Sequence, residues 1–279
     1  MPTSRVVEFQ GATAVVTGGA SGIGRGMAAV FREVGCNVVL ADRDETSLEE
    51  AAADLDALAV PTDVTDPTSV AALAKRTMAA FGAVHIVCNN AGVGPFGAVA
   101  KMTLADWRYV LDVNLLGVVH GVHAFLPLLE ANGTWGQIVN TSSVSVLLAP
   151  PEAAAYVASK AAVLGLTEVL AAELEASGSR VGATALLPGT VRTNIARSLR
   201  FREPDDSSGL YELDLAARAS QYRFIDPLDV GRMVLRAISR NERYVLTHPE
   251  LVSLTDDRHA RMRAAAHGVT GEPEPSGPG

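Results

Sequence analysis

The sequence predicts a doubly wound α/β fold, a single domain in which helices cover both faces of a parallel sheet. Two observations support this. Short apolar runs alternate with helix-length segments along the chain, and no linker-like stretch interrupts the first 250 residues. Strands that alternate with helices pair in parallel through right-handed crossover connections. Near-continuous apolar strands are typical of a sheet that is buried on both faces.

The predicted elements follow one another in a regular order. The strands are the apolar runs Ala12–Val16, Asn37–Ala41, Leu58–Pro61, Val84–Cys88, Gln137–Thr141, Val181–Leu187 and Tyr244–Leu246. The helices are Gly22–Val34, Glu45–Leu55, Pro67–Phe81, Leu104–Glu130, Ala153–Ala176 and Asp226–Ser239. Asp66 and Asp226 each precede a proline, and this pair is a helix-start signal because Asp caps the first turn and proline tolerates the first helical position.

We expect one catalytic domain in residues 1–250 and a C-terminal extension in residues 251–279. Residues 271–279 are rich in Pro, Gly and Glu, and such a segment buries too little apolar surface to offset its ordering entropy. The end of the extension is therefore predicted to be disordered.

Composition excludes several classes of protein. The formal net charge of −8 at pH 7 argues against a nucleic-acid surface, which needs clustered Lys and Arg. No uninterrupted apolar run approaches the length of a membrane span, and the first ten residues lack the apolar core of a signal peptide, so we expect a cytoplasmic protein. Cys36 and Cys88 form no disulfide framework, and His120 with His123 lacks a third ligand, so no metal site is predicted.

A glycine-rich turn follows the first predicted strand and opens the first helix. Gly18, Gly22 and Gly24 allow a tight turn, a close approach of backbone N–H groups to a pyrophosphate, and close packing of helix on strand. The positive end of the helix then faces the phosphates. Asp42 ends the second strand at the offset expected for an acid that binds a ribose 2′-hydroxyl, so NAD is favoured over NADP. Arg43 leaves NADP open, because it either points to solvent or pairs with a 2′-phosphate.

Tyr156 and Lys160 lie four residues apart at the start of a predicted long helix and so share one face. A phenol has a pKa of about 10 and is a poor base at neutral pH. We expect the nearby ammonium to lower that pKa, so that Tyr156 can exchange a proton with an alcohol as hydride leaves. Ser143 is placed to hold the substrate oxygen.

With these motifs in order, the chain resembles the short-chain dehydrogenase/reductase family over roughly residues 8–248. The matching motifs are TGGASGIG at Thr17–Gly24, NNAG at Asn89–Gly92, Asn114 in DVNLLG, Ser143, YVASK at Tyr156–Lys160, and PGTVRT at Pro188–Thr193. The resemblance implies a seven-stranded Rossmann sheet and an assembly of two or four copies through two long helices. It also implies an alcohol dehydrogenase or carbonyl reductase that uses NAD(P).

The resemblance further implies a role for each matched position. Tyr156 is the general acid/base, Lys160 holds the nicotinamide ribose, Ser143 orients the substrate oxygen, and Asn114 holds a water that relays protons to Lys160. The residues implied to contact the cofactor are Thr17, Gly18, Ser21, Gly22, Ile23, Gly24, Asp42, Arg43, Asp63, Val64, Asn90, Ala91, Gly92, Tyr156, Lys160, Pro188, Gly189, Val191 and Thr193.

The long connection at residues 194–224 is where the family places its substrate loop, and long connections often act as lids. We expect its apolar side chains to form a pocket, so the predicted small-molecule substrate is an alcohol or ketone with a hydrophobic body. The partners of this segment in the pocket are expected to be Val93, Pro95, Phe96, Val144, Leu147 and Leu148.

Two alternatives stay open from the sequence. An enoyl-type reductase on the same fold is disfavoured by the short Tyr-to-Lys spacing. A non-enzymatic NAD-binding redox sensor is disfavoured by the complete set of Ser143, Tyr156 and Lys160.

Overall fold

The computed structural model describes residues 7–193, 195–202, 207–213 and 223–270. The predicted disordered tail, residues 271–279, lies outside the described residues, as does part of the predicted substrate loop.

Seven strands form one sheet in which every neighbouring pair is parallel, in the order β3-β2-β1-β4-β5-β6-β7. Their bounds are β1 (Thr13–Thr17), β2 (Asn37–Asp42), β3 (Leu58–Pro61), β4 (Ile86–Asn89), β5 (Gly136–Thr141), β6 (Val181–Leu187) and β7 (Tyr244–Leu246). The predicted doubly wound sheet is confirmed. Strand order reverses between β1 and β4, and a ligand crevice in such a sheet opens at the carboxyl ends on either side of that point.

Helices cover both faces of the sheet. They are α1 (Gly22–Glu33), α2 (Glu45–Leu55), α3 (Pro67–Phe81), α4 (Leu104–Leu111), α5 (Gly117–Ala131), α6 (Ser145–Leu148), α7 (Ala154–Ala176), α8 (Pro227–Arg240) and α9 (Asp256–Thr270). Side chains alternate along β1, so Val16 packs with α1 and α8 on one face while Val15 packs with α3, α5 and α7 on the other. The domain therefore has two cores separated by the sheet.

The predicted continuous helix over Leu104–Glu130 is wrong in one detail, because a five-residue π-helical segment, Asp112–Leu116, separates α4 from α5. Asn114 lies in this segment and is fully buried, with its amide bonded to residues outside its own helix. A π-bulge inserts a residue and re-aims the local side chains, and it is found mainly at functional sites. The short helix α6 was also missed, because four residues show no periodicity.

Two helical stretches, residues 104–131 and 154–176, are long and apolar enough to cross a membrane by length and composition alone. In this fold both lie in the helical layer beside the sheet, where Phe125, Leu129, Leu170 and Leu174 are buried in the second core. A long helix that contributes to the core of a doubly wound domain passes the same test, so we interpret both as core helices.

Phe125→Ala tests the second core. Phe125 has no exposed surface and packs beside Leu129 and Ile138, so its truncation leaves a cavity and is expected to lower the free energy of unfolding by about 3–5 kcal/mol. Urea unfolding measures the change. The matched control is Val99→Ala, whose side chain is 64% exposed and whose loss is expected to cost less than about 0.5 kcal/mol. Equal effects of the two substitutions would contradict the assignment of this core.

Candidate active site

A cavity of about 780 Å³ opens at the carboxyl ends of the strands. Its lining comes from the turn after β1, the ends of β2, β4, β5 and β6, the start of α7 and the segment that follows β6. Of the predicted cofactor residues, those on its surface are Gly18, Ser21, Gly22, Ile23, Asp42, Arg43, Asp63, Val64, Asn90, Ala91, Gly92, Tyr156, Lys160, Pro188, Gly189, Val191 and Thr193.

The glycine-rich turn suits an anion. Gly18 and Gly22 have φ values of 64° and 51°, in the left-handed region that favours glycine, and a Cβ on Gly24 would overlap the carbonyl oxygen of Gly18. The first turn of α1 contains no acidic residue, and the Ser21 side chain forms no capping hydrogen bond. The positive end of α1 thus faces the cavity without a competing carboxylate.

Thr17 and Gly24 lie behind this surface and shape it. The Thr17 hydroxyl accepts hydrogen bonds from the backbone N–H groups of Asn90 (2.9 Å) and Ala91 (3.1 Å) and donates to the Cys88 carbonyl (3.3 Å). The Asn90 amide donates to the Thr17 carbonyl (3.1 Å). These bonds join the turn after β4 to the glycine-rich turn.

Asp42 ends β2 and Arg43 follows it, and both line the cavity beyond the glycine-rich turn. Asp42 accepts hydrogen bonds from the backbone N–H groups of Ala20 and Asp44, both at 3.2 Å. Burial raises the pKa of its carboxyl group, and these bonds oppose the rise. Arg43 is exposed, but its guanidinium lies 5.4 Å from the ring centre of Phe201. It therefore stacks on the segment that follows β6 while it stays exposed, and its pairing with a 2′-phosphate stays a prediction.

The start of the predicted substrate loop reaches this end of the cavity. Ile195–Phe201 forms 3-10 turns, and Arg200 lies 3.6 Å from the Asp44 carboxylate and 4.4 Å from the Phe201 ring centre. Sequence reasoning missed Arg200 as a cavity residue, whereas Phe201 is one of the side chains of this segment that were expected in the pocket. The alternating charges and aromatic residues of the segment were visible, but its path across the cavity was not.

Farther along, the same segment is anchored to α4. The buried carboxylate of Asp106 accepts hydrogen bonds from Arg202 (2.5 Å), the Ser208 hydroxyl (2.8 Å) and the backbone N–H of Gly209 (2.9 Å). These hydrogen bonds hold the pKa of Asp106 well below its usual range, although burial alone would raise it. The anchor is a second feature that the sequence did not predict.

The predicted catalytic side chains converge at the other end of the cavity. Lys160 is 2% exposed, its ammonium donates to the Thr141 carbonyl (2.8 Å), and its nitrogen lies 5.9 Å from the Tyr156 ring centre. The Ser143 hydroxyl accepts from the backbone N–H of Ser145 (3.1 Å) and donates to the Pro188 carbonyl (3.5 Å), and its presence beside Tyr156 acts to lower the pKa of the phenol.

Asn114 supports this group from behind the cavity wall. Its side chain accepts from the backbone N–H of Val93 (2.8 Å) and donates to the Val93 carbonyl (2.9 Å) and to the Ser159 hydroxyl (3.1 Å). Ser159 in turn donates to the Tyr156 carbonyl (2.7 Å). A Cβ on Gly92 would lie 3.2 Å from the Asn114 oxygen and 3.3 Å from the Lys160 nitrogen, so both side chains meet at this glycine.

The direction of the Tyr156 pKa differs from the expectation. Burial raises it, and the hydrogen bond with Ser143 acts in the opposite sense. Burial also lowers the pKa of Lys160 to about 8, because a low-dielectric interior disfavours the charged ammonium. Desolvation therefore outweighs the lowering that the sequence predicted for the phenol.

Asp63 and Val64 line the cavity after β3. The Asp63 carboxylate accepts from the backbone N–H (2.9 Å) and the hydroxyl (2.8 Å) of Thr65, which fixes the turn. His120 reaches the Val64 carbonyl through Nδ1 (2.9 Å). Within the described ranges, no group of three or more His, Cys, Asp or Glu side chains is arranged to hold a metal ion.

Apolar side chains line the end of the cavity near Tyr156. Val93, Pro95, Phe96 and Leu148 belong to this wall as expected, and Tyr211 joins them with its ring centre 6.2 Å from that of Phe96. The expectation for Val144 and Leu147 is wrong. Both side chains pack instead in a separate cluster with Val146, Ala185 and Leu187, outside the cavity, where helix α6 meets the sheet.

Known proteins place this site in a family. The family model described as short chain dehydrogenase matches residues 12–204, from β1 through the start of the segment after β6. The chain belongs to the short-chain dehydrogenase family. A C alpha-dehydrogenase from a Sphingobium species is 32% identical, with 88% of this chain and 83% of that protein covered. The oxidoreductase UcpA of Escherichia coli is 38% identical, with 85% and 91% covered.

Solved structures of the family agree with the fold. A short-chain dehydrogenase/reductase from Burkholderia phymatum, in complex with NAD, superposes with a TM-score of 0.85 at 36% identity, covering 98% of this chain and 99% of that one. LigO from Sphingobium superposes with a TM-score of 0.80 at 30% identity, covering 96% and 94%.

Lys160→Met tests the buried ammonium. The pKa of Lys160 is lowered on folding, so the unfolded chain binds the proton more tightly and the wild type gains stability as the pH rises above about 8. Relative to Lys160→Met, the wild-type free energy of unfolding is expected to rise by about 2 kcal/mol between pH 8 and pH 10. Urea unfolding across this range measures it.

The control for this experiment is Lys75→Met, which removes an exposed lysine on α3 and is expected to parallel the wild type at every pH. A Lys160→Met curve that also runs parallel to the wild type would contradict the buried ammonium.

Proposed function

We propose that this short-chain dehydrogenase is an NAD-dependent oxidoreductase of a secondary alcohol/ketone pair with an apolar body. The observation that carries the proposal is that one cavity contains both groups of residues. The glycine-rich turn and Asp42 line one end of it, and Tyr156, Lys160 and an apolar wall line the other. Ser143 and Asn114 support the second end. A dinucleotide has the length and the chemistry to connect the two.

The residues that line the cavity fit the successive groups of NAD. Ser21, Gly22 and Ile23 at the start of α1 would hold the pyrophosphate, and Asp42 the adenosine ribose. Asp63 and Val64 would contact the adenine, and Lys160 and Tyr156 the nicotinamide ribose. The nicotinamide end would be lined by Asn90, Ala91, Gly92, Pro188, Gly189, Val191 and Thr193. NAD, when bound, supplies the hydride acceptor or donor.

The chain's own residues would handle the proton. In oxidation, Ser143 holds the substrate oxygen by a hydrogen bond while Tyr156 takes the hydroxyl proton as the carbon gives up hydride. In reduction, Tyr156 returns that proton to the oxygen. A charged Lys160 stabilises the phenolate form of Tyr156. Burial lowers the pKa of Lys160 to about 8, so the charge of Lys160 changes near neutral pH. In this proposal Asn114 positions α7 through Ser159 and, by family resemblance, relays protons to Lys160.

Asp42 supports NAD over NADP, because a carboxylate at the ribose repels a 2′-phosphate. The stacking of Arg43 on Phe201 draws its guanidinium toward the segment after β6. The NAD complex of the Burkholderia phymatum relative is in line with this choice.

Assembly into dimers or tetramers through the two long helices is part of the proposal. Leu116, Val119 and Val169 are exposed apolar residues in the helical regions that the family uses for association. The catalytic domain of residues 1–250, the C-terminal extension of residues 251–279 and the cytoplasmic location stay predictions.

Tyr156→Phe tests the proton transfer. The substitution removes the hydroxyl group and keeps the ring, so turnover of secondary alcohols is expected to fall by about 100-fold or more, with NADH binding retained. Nicotinamide absorbance measures turnover and NADH fluorescence measures binding. Tyr244→Phe, which also removes a tyrosine hydroxyl but lies outside the cavity lining, serves as the control and is expected to keep wild-type turnover.

The same assay separates the alternatives. Reduction of C=C but not C=O bonds would favour an enoyl-type reductase. NADH binding without turnover in the wild type would favour a redox sensor.

Asp42→Ala tests the choice of cofactor. Loss of the carboxylate removes the repulsion of a 2′-phosphate, so the ratio of kcat/KM with NADP to that with NAD is expected to rise by about tenfold or more. Asp229→Ala, an exposed acid on α8, is the control and is expected to leave the ratio unchanged. An unchanged ratio in Asp42→Ala would remove this residue from the cofactor site.

A further inference from the structure

The apolar end of the cavity carries one charged side chain whose position is held on several sides. Glu152 lines the cavity beside Ala153, just before the start of α7. Its carboxylate accepts a hydrogen bond from the Tyr211 hydroxyl (2.8 Å), and its carbonyl accepts one from the backbone N–H of Gly97 (2.7 Å). These bonds join Glu152 to two segments of the cavity lining, one that contains Phe96 and one that contains Tyr211.

The backbone at this position is strained. Glu152 has a φ of 61°, in the left-handed region that a non-glycine residue adopts only at a cost in free energy. Ala149 has a φ of 45°, and the two residues between them are Pro150 and Pro151, whose rings fix their own φ angles. A short, stiff turn therefore holds the carboxylate at the edge of the apolar wall.

The other charged side chains in the described cavity lining are engaged elsewhere. Asp42 accepts from the backbone N–H groups of Ala20 and Asp44, and Asp63 accepts from Thr65. Arg43, Asp44 and Arg200 meet around Phe201 at the Asp42 end. Lys160 is buried against the Thr141 carbonyl. Among the described residues, Glu152 thus sets the sign of the charge at the apolar end, with one carboxylate oxygen bonded to Tyr211 and the other able to accept a donor from a ligand.

We propose that Glu152 selects the substrate by charge. The substrate class is an alcohol or ketone with an apolar, ring-sized body whose outer end is neutral or cationic, and Glu152 accepts a hydrogen bond from a hydroxyl or ammonium group there. A substrate with a carboxylate at that end is rejected, because two like charges meet at the exposed rim of the cavity, where Glu152 lies. The effect of Glu152 on turnover rests on the proposed function, whereas its effect on binding does not.

The experiment uses para-substituted phenyl methyl carbinols with a methyl, an aminomethyl or a carboxylate group. In the wild type, kcat/KM for the carboxylate is expected to be about tenfold or more below that for the methyl compound, with the aminomethyl compound at least equal to the methyl. In Glu152→Gln, which keeps shape and removes charge, all three are expected to agree within about threefold.

The matched control is Glu168→Gln. Glu168 also accepts a tyrosine hydroxyl, that of Tyr244 at 2.7 Å, but lies outside the cavity lining, so the order of the three substrates is expected to stay as in the wild type. Tyr211→Phe keeps the charge of Glu152 and removes its donor, so rejection of the carboxylate is expected to persist.

Binding of the corresponding ketones to the NADH-loaded protein, followed by NADH fluorescence, gives a readout that does not need turnover. If the ketones bind in the expected order but no carbinol is oxidised, the proposed reaction fails and the selection stands. The selection is overturned if the carboxylate compound binds and reacts as well as the methyl compound, or if no ketone binds. It is also overturned if Glu152→Gln and Glu168→Gln have equal effects.

Discussion

The site depends on how the ends of β1 and β4 are joined. These strands are neighbours in the sheet although about 70 residues separate them, and the strand order reverses between them. The Thr17 hydroxyl and the Asn90 amide satisfy the backbone groups of both turns at this junction. Because Gly18 and Gly24 approach each other too closely for a Cβ, the first helix starts directly against the crevice. The positive end of this helix therefore lies at the crevice, where the proposed pyrophosphate site is.

Burial governs the chemistry at the opposite end. Lys160 and Asn114 converge on Gly92, where a side chain would displace them, and the π-helical segment aims Asn114 at the loop after β4. The same burial lowers the pKa of Lys160 and raises that of Tyr156. Each shift disfavours the charged form. The family's pair of side chains therefore lies in an environment where the charge of a bound ligand has a large effect, since both side chains are buried away from water.

The segment after β6 connects the two ends of the cavity. Its first turns meet Arg43 and Asp44 near the start of α2, its middle is anchored to the buried carboxylate of Asp106, and Tyr211 returns to the apolar wall beside Phe96 and Glu152. A single connection thus contributes to both ends of the cavity. The polar anchor is a strong one, because Asp106 is fully buried and its carboxylate oxygens are satisfied by donors from this segment and from Thr103.

The sequence by itself determined the alternation of strands and helices, the glycine spacing, and the shared face of Tyr156 and Lys160. These are local patterns, set by the periods of strands and helices and by the unique freedom of glycine. Only the tertiary structure decided the stacking of Arg43 on Phe201, the π-helical segment at Asn114, and the bond between Tyr211 and Glu152. It also decided the directions of the pKa shifts. Those features depend on contacts between residues far apart in the chain and on exclusion of water, which no local pattern encodes.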